Sequence, residues 1–465
     1  MSFYIYDLIF LVLFATFLFV FLHSGKKNLK REGLLILYKA AWGIKLIDYI
    51  GKRFKRTFKV LSYVSVITGY ILMATMFYFL GKIVYIYITM PSLVKAIKVP
   101  PIMPLVPYID KVVPNLGLPS FYFTYFIVII AIIAISHEFA HGIFAAHNKV
   151  KVKSTGFGFF PFFLPIFLAA FVELDEKKMK MKNKFPQLAI LSAGTFANVL
   201  TAILFFGVLF VFFSFAFTPS GIEFNEYAYT SVAVGAISSV NGIQLENVNF
   251  DEFVNFLNKN GSNEIEFEGR KYVGVDFFVN TNEYVNLYYD APAINAKLEN
   301  VILKINGEEI KNIDNLRDEI SKYSPGEKIT LNVLGNDGSD YNKDLILGEN
   351  PENKNKAWLG IGFSEQGSKR IIGKVYSALN FKEPHVYYKS NFGASLFIYD
   401  LLWWIILISI SVALINMLPV GIFDGGRFFY LTILGITKSE KIAKNSFAFS
   451  TYFILFLLLL LMFFW

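Results

Sequence analysis

Long apolar runs alternate with shorter polar segments along most of this 465-residue chain. A membrane-spanning helix needs about 20 consecutive, mostly apolar residues. Six windows meet this requirement and predict a polytopic α-helical membrane protein with about six transmembrane helices. The windows are Ser2 to Leu22, Val60 to Ile88, Ser120 to Ala146, Pro186 to Phe217, Phe392 to Pro419 and Ser446 to Trp465. The first is expected to be a retained anchor rather than a cleaved signal peptide, because Asp7 stands where a basic start is usual.

A polar stretch, Thr218 to Asn391, separates the fourth and fifth windows. Within it, Val240 to Asn247 and Ile305 to Asn312 both have the pattern of a strand, an Asn-Gly turn, a second strand and a helix start. The second copy follows Ala291-Pro292-Ala293 and resembles a PDZ domain. We therefore expect an inserted soluble region of α+β class with one or two PDZ-like domains. For the first copy, an Asn-Gly hairpin in some other β domain is the alternative.

The composition supports a membrane protein and limits the possible metal ligands. The mean hydropathy is +0.48 and charged residues make up 17% of the chain, below the roughly 25% of soluble proteins. These values exclude an ordinary soluble globular protein. The chain has no cysteine, so any metal ion must be held by nitrogen and oxygen ligands.

Charge predicts the orientation of the chain. Eleven basic residues lie between His23 and Lys59, and further clusters occupy Lys177 to Lys184 and Arg427 to Lys444. If the windows alternate in direction, all three segments share one side, which the positive-inside rule assigns to the cytoplasm. Residues 218–391 hold 17 basic and 25 acidic residues, a net charge of −8, so the insert is expected to be extracytoplasmic. A cytoplasmic insert is the alternative. Residues 34–50 predict an amphipathic helix on the cytoplasmic surface.

Candidate chemistry lies inside the third window, at His137-Glu138-Phe139-Ala140-His141. Histidines four residues apart share one helical face and can hold one zinc ion, while the intervening Glu138 can act as a general base. An ionisable residue at membrane depth costs about 2.5 to 3.5 kcal/mol on insertion scales, so a function is the default interpretation. The alternative is a chance occurrence of the pattern.

A third metal ligand is needed, because a catalytic zinc ion takes three protein ligands and keeps one position open. His141 precedes Lys149 by eight residues, or about 12 Å of helix, which places the motif toward the cytoplasmic side. Asp7 and Asp400 are expected near the outer ends of their windows, whereas Asp424 lies near the cytoplasmic end of the fifth. Depth therefore favours Asp424, with a helix cap or an ion pair as its alternative role.

These motifs resemble the site-2 protease family of intramembrane zinc metalloproteases. Residues 137–141 match the first family motif, and Asn416 to Gly425 match the pattern Asn-x-x-Pro-x-x-x-x-Asp-Gly. Ala193 to Asn198 is similar to a further motif, with Thr195 where proline is common. In the family, the loop after the first motif folds back into the membrane as a β-hairpin. Gly156 to Val172 is accordingly expected to form a re-entrant β-hairpin, with an interfacial loop as the alternative.

The resemblance implies a zinc metalloendopeptidase that hydrolyses peptide bonds within or near transmembrane segments. It also implies one zinc ion per chain and a PDZ-like insert that controls substrate access in regulated intramembrane proteolysis. The expected site residues are Glu138 as catalytic base, His137, His141 and Asp424 as metal ligands, and Asn198 and Asn416 as substrate-binding amides. The alternatives are a non-proteolytic membrane scaffold or a metal transporter with PDZ-like domains.

Four segments are expected along the chain. Residues 1–119 hold the first two transmembrane helices and the interfacial helix, and residues 120–217 the first part of the catalytic core. Residues 218–391 form the insert, and residues 392–465 hold the aspartate ligand and the last helix. The expected location is the cell membrane, with a multi-pass chain whose active site lies toward the cytoplasm. The expected partners are single-span membrane protein substrates and the lipid bilayer, without nucleic acid, and the oligomeric state is left open.

Overall fold

The computed structural model describes residues 3–32, 35–91, 94, 105–112, 118–159, 168–246, 248–258, 263–277, 284–363 and 382–463. The chain separates into two compact units. The first comprises Met1–Phe212 and Leu396–Trp465, and the second comprises Phe213–Ser395.

Among the described residues, six helices are long and apolar enough to cross a membrane, so the prediction of a polytopic membrane protein is confirmed. They are α1 (Phe3–Ser24), α3 (Lys55–Thr89), α5 (Phe123–His147), α7 (Lys184–Ala216), α11 (Ser395–Asn416) and α13 (Glu440–Phe463). Large apolar side chains such as Leu13 and Phe19 point outward from these helices. A helix that is apolar on all sides is suited to lipid or to a protein core. The shorter helices of this part of the chain are α2 (Ile44–Arg53), α4 (Ile109–Val112), α6 (Glu176–Lys180) and α12 (Asp424–Thr437).

A four-stranded antiparallel sheet accompanies the helices of the first unit. Its strands follow chain order: β1 (Leu29–Glu32), β2 (Leu35–Ala40), β3 (Val152–Phe159) and β4 (Leu168–Leu174). Strands β3 and β4 fall in the segment expected to form a hairpin, and they pair along their length. Residues 160–167, between the two strands, lie outside the described residues. Placement of the hairpin inside the membrane stays a prediction.

The helix predicted for residues 34–50 is wrong over its first half, because Leu35–Ala40 forms strand β2. The Tyr38 ring stacks on Phe157 of β3, with ring centroids 5.2 Å apart. Gly156 lies so close to the Tyr38 carbonyl that a side chain there would overlap it. A short apolar run does not distinguish strand from helix by its period, and here a partner more than a hundred residues away decides. The helical part begins at Ile44.

Helix α5, which carries the histidine motif, is capped by a side chain from α1. Asp7 is buried, and its carboxylate accepts hydrogen bonds from the backbone N–H groups of Phe123 (2.7 Å) and Thr124 (2.9 Å). The Tyr108 hydroxyl donates a further bond of 2.7 Å to it. The first N–H groups of a helix have no partner within the helix, and a carboxylate there also interacts favourably with the helix dipole. This contact fixes α1 to the start of α5.

Among its described residues, the second unit contains two main sheets, each with its own apolar core. The described elements are β5 (Phe217–Glu223), β6 (Glu226–Tyr227), β7 (Tyr229–Ala233), β8 (Ser239–Val240), β9 (Ile243–Gln244), α8 (Phe250–Asn255), β10 (Ile265–Phe267), β11 (Arg270–Phe277), β12 (Tyr284–Tyr289), α9 (Pro292–Asn295), β13 (Val301–Ile305), β14 (Glu308–Glu309), α10 (Ile313–Ile320), β15 (Lys328–Leu334), β16 (Asp340–Ile346), β17 (Gly348–Glu349), β18 (Ala357–Trp358), β19 (Ile361–Gly362) and β20 (Val386–Ser390). The first sheet has the order β7-β12-β11-β10-β8-β9, and the second has the order β16-β15-β13-β5-β20, with β14 paired to β13. Short strand pairs are formed by β17 with β18 and by β6 with β19.

Both predicted Asn-Gly turns are confirmed. Asn241 and Gly242 connect β8 to β9, and Asn306 and Gly307 connect β13 to β14. All four residues have positive φ angles, between 47° and 92°, as a tight two-residue hairpin turn requires. A helix follows each hairpin, α8 in the first copy and α10 in the second. The PDZ-like identity of these regions stays a prediction.

Candidate metal centre

Three side chains from two helices converge inside the first unit. His137 and His141 lie on one face of α5 and are buried, and Asp424 is the first residue of α12. The two Nε2 atoms are 3.1 Å apart, and Asp424 Oδ2 lies 3.2 Å from His137 Nε2 and 3.1 Å from His141 Nε2. These three atoms can hold one metal ion together.

The geometry of this triangle suits a small divalent cation. Tetrahedral zinc binds nitrogen and oxygen at about 2.0–2.1 Å, which places neighbouring ligand atoms about 3.3–3.4 Å apart. The measured edges are 3.1, 3.1 and 3.2 Å. Two imidazoles and one carboxylate also form a donor set of the catalytic kind, which leaves a fourth position open. The residues therefore fit a zinc ion.

Helix α7 shapes the centre through residues spaced four apart. At Gly194, a Cβ atom would overlap Nε2 of both His137 and His141. The absence of a side chain there makes room for the ligand atoms and an ion. One turn earlier, the Ile190 carbonyl accepts a hydrogen bond of 2.7 Å from His141 Nδ1. That bond keeps the proton of His141 on Nδ1, so that Nε2 is free to bind a metal.

One turn later, Asn198 lies against the other histidine. It is fully buried, and its side-chain amide is 3.0 Å from His137 Nδ1, with Nδ2 assigned as the near atom. In this assignment Oδ1 is buried without a hydrogen-bond partner among the described residues. A metal-bound His137 carries its proton on Nδ1 and needs an acceptor there. Because amide oxygen and nitrogen are assigned from hydrogen bonding, the rotated amide, with Oδ1 toward Nδ1, is the orientation that satisfies both groups.

The chain reaches Asp424 through an irregular turn. Helix α11 ends at Asn416, and α12 begins at Asp424 after a break in the helical backbone. Gly425 and Gly426 lie against the backbone of this turn, and a Cβ atom at Gly425 would overlap the Met417 carbonyl group. Glycine thus lets the first turn of α12 pack tightly against the end of α11. Asp424 therefore belongs to a separate helix rather than to the fifth spanning helix.

An ion pair also holds the first turn of α12. The Arg427 guanidinium donates two hydrogen bonds, of 2.9 and 2.7 Å, to the carboxylate of Glu176 at the start of α6. These bonds hold the pKa of Glu176 below its usual value. Two parallel bonds give the pair a defined geometry. The position of α12 is thereby linked to the segment that follows β4.

Glu138 lies beside the triangle and contacts the sheet. Its Oε2 accepts a hydrogen bond of 2.8 Å from the backbone N–H of Val172 on β4. A cavity of about 350 Å³ opens next to it. The cavity is lined by His137, Glu138, Ala170, Asn416 and Asp424, together with apolar side chains. Glu138 therefore lines an open space beside the three ligand side chains.

The structure brings together His137, His141, Asp424 and Glu138 of the expected site. Asn416 lines the cavity, and Asn198 lies behind His137, fully buried. The substrate-binding roles of both amides stay predictions. The geometry of Asn198 favours an orienting role instead, because its amide faces the imidazole.

Several contributors to the centre were not expected from the sequence. Ile190 and Gly194 could have been found from their four-residue spacing with Asn198, which places all three on one helical face. The contacts of Val172 with Glu138 and of Glu176 with another helix leave no local signal, because each joins segments distant in sequence.

Comparison with known proteins assigns the family. A family model described as Peptidase family M50 matches residues 125–461, which is well over half of the chain and includes every residue of the triangle. The chain belongs to peptidase family M50. This is the site-2 protease family, so the predicted resemblance is confirmed. M50 peptidases are zinc metalloproteases, and the six candidate spanning helices among the described residues make this member a multi-pass membrane protein.

A curated relative extends this comparison. An uncharacterized protein of Methanocaldococcus jannaschii is 30% identical over 199 residues, which is 41% of this chain and 48% of the relative. The chain thus spans about half the length of the curated relative that it matches.

Proposed function

We propose that this M50 chain is an intramembrane zinc metalloendopeptidase that hydrolyses peptide bonds within or near transmembrane segments of membrane proteins. The observation that carries the proposal is the triangle of His137, His141 and Asp424, with Glu138 beside it and a cavity in front. These groups belong to a unit with six helices that can span a membrane. Membership of the peptidase family supports the class of reaction.

The proposed roles follow from the contacts of each residue. One zinc ion per chain would be held by His137, His141 and Asp424 and would supply Lewis-acid activation of water and of the peptide carbonyl. Glu138 would accept a proton from water and deliver it to the leaving amine. The bond from the Val172 N–H orients its carboxylate toward the cavity side of α5. Ile190 and Asn198 would hold the two imidazoles in the metal-binding orientation.

The outer edge of strand β4 supports the proposal that the substrate is a peptide. Val172 directs its N–H away from β3 and toward Glu138, and strand alternation directs the backbone of Ala170 the same way. Ala170 lines the cavity, so its backbone can pair with an extended segment there. The carbonyls of a transmembrane helix are already hydrogen-bonded, and a substrate must unwind locally before cleavage. Pairing with β4 and a bond to the Asn416 amide would replace the lost helical bonds.

Contacts within the first unit support the proposed orientation. Lys184 of the second basic segment donates a hydrogen bond of 2.8 Å to the Leu434 carbonyl of the third. Lys39 of the first segment pairs at 3.0 Å with Glu173, four residues before the second. The three basic segments therefore lie near one another. The positive-inside rule then favours a cytoplasmic location for this end of the helices and for the metal centre.

The insert would be extracytoplasmic and would control substrate access. If deletion of residues 223–382 left the preference between full-length and pre-truncated single-span substrates unchanged, this role would be wrong.

Two substitutions test the catalytic proposal in the purified full-length protein. Glu138→Gln should keep one zinc per chain and lose at least about 100-fold in cleavage rate, because the base is removed while the ligands remain. Asp424→Ala should lose zinc as well, because one of three ligands is removed. The measurements are zinc content by mass spectrometry and cleavage of a panel of single-span substrates with and without chelator. Full activity of Glu138→Gln, or zinc transport without cleavage, would refute the proposal.

A further inference from the structure

Helix α2 is clamped onto the helix that carries the histidine motif. Ile47 is fully buried, and its side chain fills the space above Gly142, where a Cβ atom would lie 2.9 Å from Ile47 Cδ1. Gly51 lies so close to α5 that a Cβ atom there would be 2.7 Å from the Ile143 carbonyl oxygen. Gly142 directly follows His141. Helix α2 and the metal-binding turn of α5 therefore hold each other in place.

The chain connection places α2 at the surface of the membrane. Helix α3 begins at Lys55, two residues after α2 ends at Arg53, and α3 is a candidate membrane span. The part of α5 that α2 contacts is the last turn and a half of another span, which ends at His147. Two independent connections thus fix α2 at the level where spanning helices end.

The opposite face of α2 is apolar and exposed. Leu46 and Tyr49 are three residues apart on the helix, so their side chains share one face. Trp42 stands in the turn just before the helix, and its ring centroid lies 5.7 Å from that of Tyr38. The exposed fractions of Trp42, Leu46 and Tyr49 are 59%, 53% and 61%. We call these three residues the α2 row. Tryptophan and tyrosine are the residues that concentrate at the boundary between lipid and water.

Basic residues surround this row. The exposed ones on α2 and at the start of α3 are Lys45, Lys52, Arg53, Lys55, Arg56 and Lys59. Asp48 is the single acidic residue of the same segment, and it pairs with Lys52 at 2.7 Å. An apolar row flanked by positive charge is the pattern of helices that lie in the surface of an anionic bilayer.

We propose that α2 is an interfacial anchor whose row of Trp42, Leu46 and Tyr49 inserts into the headgroup region of anionic phospholipid. Because Ile47 and Gly51 lock α2 to α5, the anchor sets the depth of His137 and His141 relative to the membrane surface. This assignment rests on the packing and charge of α2 and is independent of the proposed peptidase activity.

The absence of cysteine from the chain makes a direct depth measurement possible. A nitroxide label on Leu46→Cys reports the row, and a label on Lys52→Cys, on the same helix but outside the row, is the matched control. The full-length protein is placed in nanodiscs that contain a mixture of neutral and anionic phospholipid. The ratio of collisions with oxygen to collisions with a water-soluble nickel chelate should be several-fold higher at position 46 than at position 52. Equal ratios would overturn the proposal, as would spin–spin broadening between copies, which would show that a second chain covers the row.

A charge-reversal variant tests the anionic part of the proposal. Each basic residue near an anionic surface changes partitioning by about fivefold. Lys45→Glu with Arg53→Glu should therefore lower the collision ratio at the position-46 label in anionic nanodiscs toward that of the control. In purely neutral nanodiscs the same variant should differ little from the parent. An unchanged ratio in anionic nanodiscs would contradict recognition of anionic lipid. Thermal unfolding of each labelled protein checks that its fold is retained.

Discussion

Replacing Asn198 tests how the metal centre is supported behind its ligands. The amide is fully buried and lies 3.0 Å from His137 Nδ1. Asn198→Leu keeps the number and branching of the side-chain heavy atoms and removes every hydrogen-bonding group. Asn198→Asp keeps an oxygen acceptor and removes the donor. The pair of variants therefore distinguishes an amide that accepts from Nδ1–H from one that donates to Nδ1.

The expected magnitude follows from the contact that is lost. Removing the outer hydrogen-bond partner of a metal-binding histidine lowers metal affinity by about 10- to 100-fold, or about 1.4 to 2.8 kcal/mol. A buried N–H left without an acceptor costs about 1–3 kcal/mol, which is the same range. We expect this loss for Asn198→Leu. For Asn198→Asp we expect affinity at or above the wild-type value, because a carboxylate is a common partner of zinc-binding histidine.

The assay is a competition titration of zinc between the full-length protein in detergent and a chromophoric chelator. Zinc affinity of Asn198→Asp as weak as that of Asn198→Leu would refute the accepting orientation. Wild-type affinity in Asn198→Leu would show that His137 needs no partner at Nδ1. If the wild-type protein bound no zinc, the proposed function itself would fail, and the three results can be told apart.

Three further predictions concern residues that hold the centre and its helices. Gly194→Ala should abolish zinc binding, because the added methyl group would overlap both imidazoles. The control is Gly207→Ala on the same helix, which should bind zinc normally, because a Cβ atom there meets nothing within 4 Å. Equal zinc contents of the two variants would contradict this prediction. Asp7→Leu should destabilise the protein by about 1.5–3 kcal/mol, seen as a lower melting temperature, because hydrogen bonds to a charged group are lost at the start of α5. Asp7→Asn should lose less stability than the leucine variant. An unchanged melting temperature of the leucine variant would show that the cap is dispensable. The lowered pKa of Glu176 means that its pair with Arg427 stabilises the folded protein above the unfolded pKa of about 4.3 and that this contribution is lost as the pH falls. The partly exposed pair contributes under about 1 kcal/mol. The melting temperature of the wild type should therefore fall slightly more steeply than that of Glu176→Gln between roughly pH 5 and pH 3. Parallel curves would exclude a contribution from the pair.

The features that local sequence determines were predicted well. The six candidate spans in the described part of the chain follow from the length of apolar runs, because lipid offers no partner for exposed backbone groups. The shared face of His137 and His141 follows from the helical period, and the two Asn-Gly turns follow from the positive φ angles that these residues tolerate. Each of these properties depends on neighbours within a few residues along the chain.

The choice of Asp424 used one piece of long-range information. Position along the membrane normal can be read from the sequence, because charged segments mark the two surfaces. The expected depth in the membrane was enough to select Asp424, far along the chain from His137. The structure places Asp424 Oδ2 3.2 Å from His137 Nε2. The lateral approach was not predictable, because it depends on how Gly425 and Gly426 pack against the end of α11.

What only the tertiary structure decided are the contacts between distant segments of similar local character. Leu35–Ala40 is a strand because β3 lies beside it, and Glu138 is oriented because β4 presents the Val172 N–H to it. The amide of Asn198 faces His137 because α5 and α7 pack with these residues in register. In sequence, none of these contacts leaves a local signal, because each joins segments that are far apart along the chain. The roles of these residues depend on contacts with distant partners, which the local periodicity of the sequence does not specify. These contacts stabilise the protein only after the helices have packed together.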